Sequence, residues 1–290
     1  MLHAFDAAGE DGHATLNGLP FHYVRWGSPQ LPALVCLHGL RSYARTFEPL
    51  AAALHGQVQV IALDQRGRGE TAWDPARNYY TDQYVSDLRA FIDHLRLDRF
   101  HLLGHSMGGI TSIVHAGQPG ARLLSVVLED SGPGASTASA GATRINDELA
   151  RTPTRFGDWA QARAFWRLIR PNVTEEAIES RVANSMRETP DGIQWIHDQA
   201  GIAACRLNPD PARVTPDLWP FVEAIDVPTL VLRGGQSDYL SKDTLAAMLA
   251  RNPRLRGREI AGAGHYVHDD QPEAFHQAVA EFLASVGARA

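Results

Sequence analysis

Lysine is almost missing from this 290-residue chain: of 27 basic residues only Lys242 is lysine. That skew carries no functional reading. Cysteine is equally scarce, with Cys36 inside an apolar run and Cys205 far away, so neither a disulfide framework nor metal-ligand spacing exists, and a reducing compartment fits. No apolar run approaches the ~18 residues of a membrane span, and the first residues lack a basic start followed by an apolar stretch. The expected location is therefore cytoplasmic. There is also no excess of positive charge. The formal net charge is −6 with both signs interspersed, which gives no field for phosphates or anionic lipid and argues against nucleic-acid or membrane binding. What is present is ordinary for a folded protein, 44% apolar and 21% charged, in a length that suits one large domain with an insertion.

Short apolar runs ending in Gly, Asp or His alternate with amphipathic stretches, the pattern of a parallel sheet covered by helices. The runs over 21–26, 33–38, 58–63, 99–104, 124–129, 228–233 and 256–260 read as strands. Helical patterns fall at 43–54, 106–117, 241–251 and 271–285, and Tyr84, Leu88, Phe91, Ile92 and Leu95 form the clearest stripe. Thr81 or Asp82 is the expected cap of that stripe, and Ser241 or Asp243 that of the helix at 241–251. After residue 130 the alternation stops and resumes only near Val227, so 132–225 reads as an inserted helical cap, with 1–131 and 226–290 as the core. Gly132-Pro133-Gly134 opens that insertion, and Asn208-Pro209-Asp210-Pro211 marks its return.

Gly104-His105-Ser106-Met107-Gly108 directly follows the run Phe100 to Leu103 and precedes a helical pattern, giving G-x-S-x-G in a strand–turn–helix context. A serine in such a strained turn is exposed at the carboxyl edge of the sheet, and only small neighbours permit the close packing. Gly264-His265 follows the last apolar stretch, which returns an imidazole to the same edge as a general base for Ser106. His38-Gly39-Leu40 ends an earlier run, where the α/β-hydrolase fold that this pattern resembles carries half of its oxyanion hole; the resemblance makes the amides of Leu40 and Met107 the candidate oxyanion donors, with His38 organising the loop. His265, His268, Asp269 and Asp270 also admit a metal-ligand reading, but no second histidine pair stands at matching spacing, and neither metal nor cofactor is expected.

Together these residues resemble the α/β-hydrolase superfamily from about residue 20 to 285. The resemblance implies an α/β fold with a mostly parallel central sheet, and a serine hydrolase of the esterase-like branch acting through an acyl-enzyme. Asp64-Gln65-Arg66-Gly67-Arg68-Gly69 is similar to the family's D-x-R-G-x-G loop, where the acid and the first arginine are structural. Two acids compete for the third triad place: Asp130, in Asp130-Ser131-Gly132-Pro133, and Asp238, after the strand ending at Arg233. The D-x-x-P turn resembles small bacterial esterases and hydrolases of acetamidomethylene-succinate, which favours Asp130 and keeps Asp238 as the alternative. Epoxide hydrolases and haloalkane dehalogenases carry aspartate at the elbow, so Ser106 argues against them. Carbon–carbon bond hydrolases keep the serine but commonly have Trp where this chain has Tyr266. A ligand receptor on a hydrolase scaffold is the rival from another class, against which the complete nucleophile, base and acid set stands.

The expected substrate is a small acyl compound, met by a monomer or homodimer. Arg41, Trp166 and Tyr266 are the candidate substrate contacts. Phe156, Trp159, Phe165, Trp195 and Trp219 are further aromatic candidates for a pocket, and Arg144, Arg163 and Arg167 further grips for a substrate carboxylate.

Overall fold

The computed structural model describes residues 6, 8–171 and 173–287. Eight strands form one sheet in the order β1 (Glu10–Leu16), β2 (Leu19–Trp26), β4 (Gln59–Leu63), β3 (Ala33–Leu37), β5 (Phe100–His105), β6 (Leu123–Glu129), β10 (Thr229–Gly234), β11 (Leu255–Ile260). The β1–β2 hairpin and the β2–β4 pair are antiparallel, and every other pairing is parallel. Parallel strands are buried on both faces, which is why their sequences read as continuous apolar runs. β3 illustrates the period of two: Leu34 and Cys36 join one core, Val35 and Leu37 the other. One face packs on Leu88 and Phe91 of the helix Thr81–His94 and on Ile113 of the helix Met107–Ala116. The other packs on Leu50 and Leu54, and on Phe275, Val279 and Phe282 of the helix Pro272–Gly287.

Every strand expected from the sequence is present, and β1 is an addition. Ser241 caps its helix by accepting from the amide of Thr244, whereas the cap position of Thr81–His94 is Tyr80, with no side-chain bond. Thr81 and Asp82 lie inside the first turn rather than before it.

Between β6 and β10 the chain leaves the sheet, and here the helical expectation needs correction. Beside helices such as Ala140–Arg151, Trp159–Ile169, Glu175–Ser185 and Gln199–Leu207 it forms a small antiparallel sheet of β7 (Arg155–Phe156), β9 (Gly192–Trp195) and β8 (Met186–Thr189). Phe156, Trp166, Val182, Ile193 and Trp195 make a core of their own there, separate from the two on the main sheet.

Candidate active site

β5 ends at His105, and the next residue turns sharply with φ 52° and ψ −113° before the helix Met107–Ala116 begins. A left-handed φ on a non-glycine residue is strained, and it aims Ser106 out of the carboxyl edge of the sheet. The flanking glycines are sterically required. A Cβ on Gly104 would stand 2.3 Å from the carbonyl oxygen of Gly108, and one on Gly108 would stand 2.2 Å from that of Leu37. The chain also runs through φ 46° at Asp130, immediately after β6.

His265 Nε2 lies 2.9 Å from Ser106 Oγ, and His265 Nδ1 lies 2.8 Å from Asp130 Oδ2. Asp130 is fully buried and accepts two further hydrogen bonds, from the amide of Gly234 at 3.1 Å and from Ser237 Oγ at 2.5 Å. Burial pulls His265 well below the ordinary histidine range, with Arg170 and Arg144 adding to the effect. The imidazole is thus neutral at pH 7, and with Asp130 fixing the proton on Nδ1, Nε2 is left to accept from the serine hydroxyl.

The alternative acid is occupied elsewhere. Asp238 takes Nε and Nη2 of Arg144 at 2.8 and 2.9 Å and is about one-third exposed. Its neighbours Ser237 and Tyr239 do belong to the site. Ser237 holds Asp130, and the Tyr239 ring stacks 4.1 Å, centroid to centroid, from that of His265. Neither was singled out from the sequence. The only available signal was their adjacency to a candidate acid at the end of a strand.

Leu40 and Met107 pack together and line, with Ser106, an inner cavity of about 370 Å³. His38 organises its loop as expected: its Nε2 accepts from the amide of Gln65, and its carbonyl accepts from the Gln65 side chain. Burial lowers the pKa of His38 to about 4. Asp64 and Arg66 also tie loops together, Asp64 through the amides of Ala44 and Glu70, Arg66 through Asp87 and Asp74.

His265 and Tyr266 line a second, wider cleft, the outer cleft, of about 1100 Å³, which Ser106 does not line. Tyr266 stacks under Arg170, whose guanidinium carbon sits 3.2 Å from the ring centre. Arg41 and Trp166 line neither space. Arg41 is buried and bound to Glu148 and Thr152, so its charge is neutralised inside the protein. Trp166 is fully buried, packed edge to face on Trp195 in the core of the inserted segment.

Metal-ligand side chains do converge beneath the site, though not the set read from the sequence. Ligating atoms of His105, Glu129 and His268 lie within 4.8 Å of one another. Glu129 Oε1 accepts from the amide of His268 and faces its Nδ1 at 2.7 Å, and His105 Nε2 donates to the carbonyl of His265, whereas His105 Nδ1 and Glu129 Oε2 are buried with no hydrogen-bond partner among the described residues. Burial raises the pKa of Glu129 to about 7.

A serine, histidine and aspartate in hydrogen-bond sequence on a strained strand–helix turn, at the carboxyl edge of a mostly parallel sheet, are the marks of a hydrolase. Comparison with known proteins agrees. The sequence profile described as "Alpha/beta hydrolase family" matches residues 34–278, and the chain belongs to that family of enzymes. It is 34% identical over 254 residues to the 3-hydroxybutyrate-oligomer hydrolase of Cupriavidus necator, covering 84% of this chain and 86% of that protein. It is 28% identical to Esterase YbfF of Escherichia coli, covering 86% and 92% respectively. Among solved structures, E-2-(acetamidomethylene)succinate hydrolase superposes with a TM-score of 0.84 at 25% identity, covering 97% of this chain and all of that one. Among the described residues, no helix is long and apolar enough to cross a membrane.

Proposed function

We propose that this protein is a serine hydrolase that cleaves a carboxylic ester, or a related acyl bond, of a small molecule. The observation that carries the reading is the continuous hydrogen-bond path from Ser106 Oγ through His265 to Asp130, with distances of 2.9 and 2.8 Å. Ser106 attacks the carbonyl carbon as its proton passes to His265 Nε2, and the oxyanion rests on the amides of Leu40 and Met107. The imidazolium, stabilised by Asp130, gives that proton to the departing alkoxide and leaves an acyl-enzyme. A water then gives its proton to the same histidine and attacks, releasing the acid and restoring the serine. No cofactor takes part.

Similarity to a 3-hydroxybutyrate-oligomer hydrolase and an esterase supports ester bonds, and similarity to an N-formylmaleamate deformylase keeps other acyl bonds within the reading. Segment 132–225 acts as a cap over the inner cavity, to which Ser136, Ile145 and Ile202 contribute. The working form is a cytoplasmic monomer or homodimer. A fluorophosphonate probe should label Ser106, and p-nitrophenyl acetate should be turned over. A chain that does neither is not a serine hydrolase and fits the receptor alternative.

A further inference from the structure

The arginines that the sequence offered as grips for a carboxylate are all matched to acids of the chain itself. Arg41 is bound to Glu148, Arg144 to Asp238, Arg163 to Glu179 and Arg167 to Glu175. Arg68 and Arg206, both in the wall of the inner cavity, have no such partner among the described residues, as is also true of Arg170 in the outer cleft. Arg68 is fully buried, stacked 5.3 and 5.2 Å from the ring centres of Tyr79 and Tyr84, and donates to the carbonyls of Leu40 and Arg66 and to the Tyr84 hydroxyl. Its Nη2 points at the Met107 thioether at 3.5 Å, a weak acceptor beside the nucleophile. Arg206, half-buried on the helix Gln199–Leu207, gives Nε to Asn146 and Nη2 to the carbonyl of Ser136.

The composition of that wall reinforces the point. It contains Arg68, Arg206 and Arg213 but no Asp or Glu, and Asp82 holds Arg213 with both oxygens at 2.7 Å. The outer cleft has four acids against three arginines. A guanidinium buried without a counter-charge is expensive to keep, and the expense is relieved when a ligand brings the missing anion. A five-carbon diacid, with three methylenes between its two carboxyl carbons, is small against about 370 Å³.

We infer that the inner cavity takes an acyl group ending in a carboxylate, held by the unengaged Nη1 of Arg206 in the field of the buried Arg68 charge while Ser106 attacks its other end. The second half of this statement rests on the proposed serine mechanism; the anion site itself does not.

The test uses the intact chain and two p-nitrophenyl esters of equal acyl length, the glutarate half-ester and the valerate. The wild type should prefer the half-ester in kcat/KM, and Arg206→Gln should lower that preference about tenfold or more, the usual scale for a hydrogen bond to a charged group. Arg68→Gln, which removes the buried charge, should lower it as well, and Arg68→Lys, which keeps it, should lower it less. Glutarate should bind the uncatalysed protein in a calorimetric titration, glutaramide should not compete, and Arg206→Gln should weaken glutarate about tenfold. Equal turnover of both esters with Ser106 labelled would overturn the anion site and leave the serine mechanism standing. If neither ester turns over and no label appears, the serine mechanism falls. The titration then decides alone: absent glutarate binding, or binding indifferent to Arg206, overturns the inference.

Discussion

The carboxyl edge of the main sheet and the segment between β6 and β10 are built on opposite plans. At the edge, each chemical group sits within a residue or a short loop of a strand end: Ser106 after β5, Asp130 after β6, Leu40 after β3, His265 after β11. Two of them, Ser106 and Asp130, have a left-handed backbone that the surrounding sheet must hold in place. The segment instead carries its own aromatic core; some of its charges close within it, as Arg163 does on Glu179 and Arg167 on Glu175, and others tie it to the rest of the chain, as Arg144 does to Asp238 and Arg213 to Asp82. Strand ends hold the serine, histidine and aspartate together, while the segment, on the proposed reading, shapes the space over them. The fold can therefore vary its substrate without disturbing its reaction.

The sharpest way to break that division is to remove groups from each side. Ser106→Ala should lower kcat on the order of a millionfold with unchanged circular dichroism, since the nucleophile, base and donors act as a unit. Asp130→Asn should cost about ten-thousandfold in kcat, because an amide favours the wrong imidazole tautomer. If Asp238→Asn proved the more damaging of the two, the acid would have been assigned to the wrong side. In the segment, Trp166→Ala should cost about 3–5 kcal/mol of stability in a denaturant titration, through the cavity left in its private core. Probe labelling of Ser106 should survive at temperatures where the variant stays folded.

A pH profile sharpens the same contrast. Burial lowers the pKa of His265, so the neutral base persists as pH falls past 6.5, the ordinary histidine value, and is lost only when the medium reaches its depressed pKa. The acid limb of kcat/KM should lie below 6.5; a limb above it would mean the imidazole is not held in a dry site. The smallest effect is expected at Asp238→Asn itself. Its pair with Arg144 is about one-third exposed on both sides, so stability should change by at most about 1 kcal/mol and kcat by less than tenfold.

This division also explains what could be read from the residues alone. β3 to β6 were legible because strands buried on both faces leave uninterrupted apolar runs, and Ser106 and His265 because a local motif places each at a strand end. β1 escaped because Glu-Asp-Gly-His-Ala-Thr-Leu is an edge strand with only one buried face. β7 to β9 escaped because strands of two to four residues carry too few positions to show a period. The choice between Asp130 and Asp238 stayed open because either spacing serves. It turns on which acid meets His265, 135 positions from Asp130, and on Arg144, 94 positions from Asp238. Arg41 misled for the same reason: its partner Glu148 is 107 positions away. Arg68 was hidden inside a loop whose glycines account for its shape but not for the charge within it.

The contact between Ser106 and His265 joins positions 159 residues apart, and the whole inserted segment is made between them. During synthesis the hydroxyl leaves the ribosome long before the imidazole proposed to activate it. Growing chains and most truncated fragments therefore carry an unarmed serine, and hydrolytic power arrives only when the last strand and the loop after it have docked.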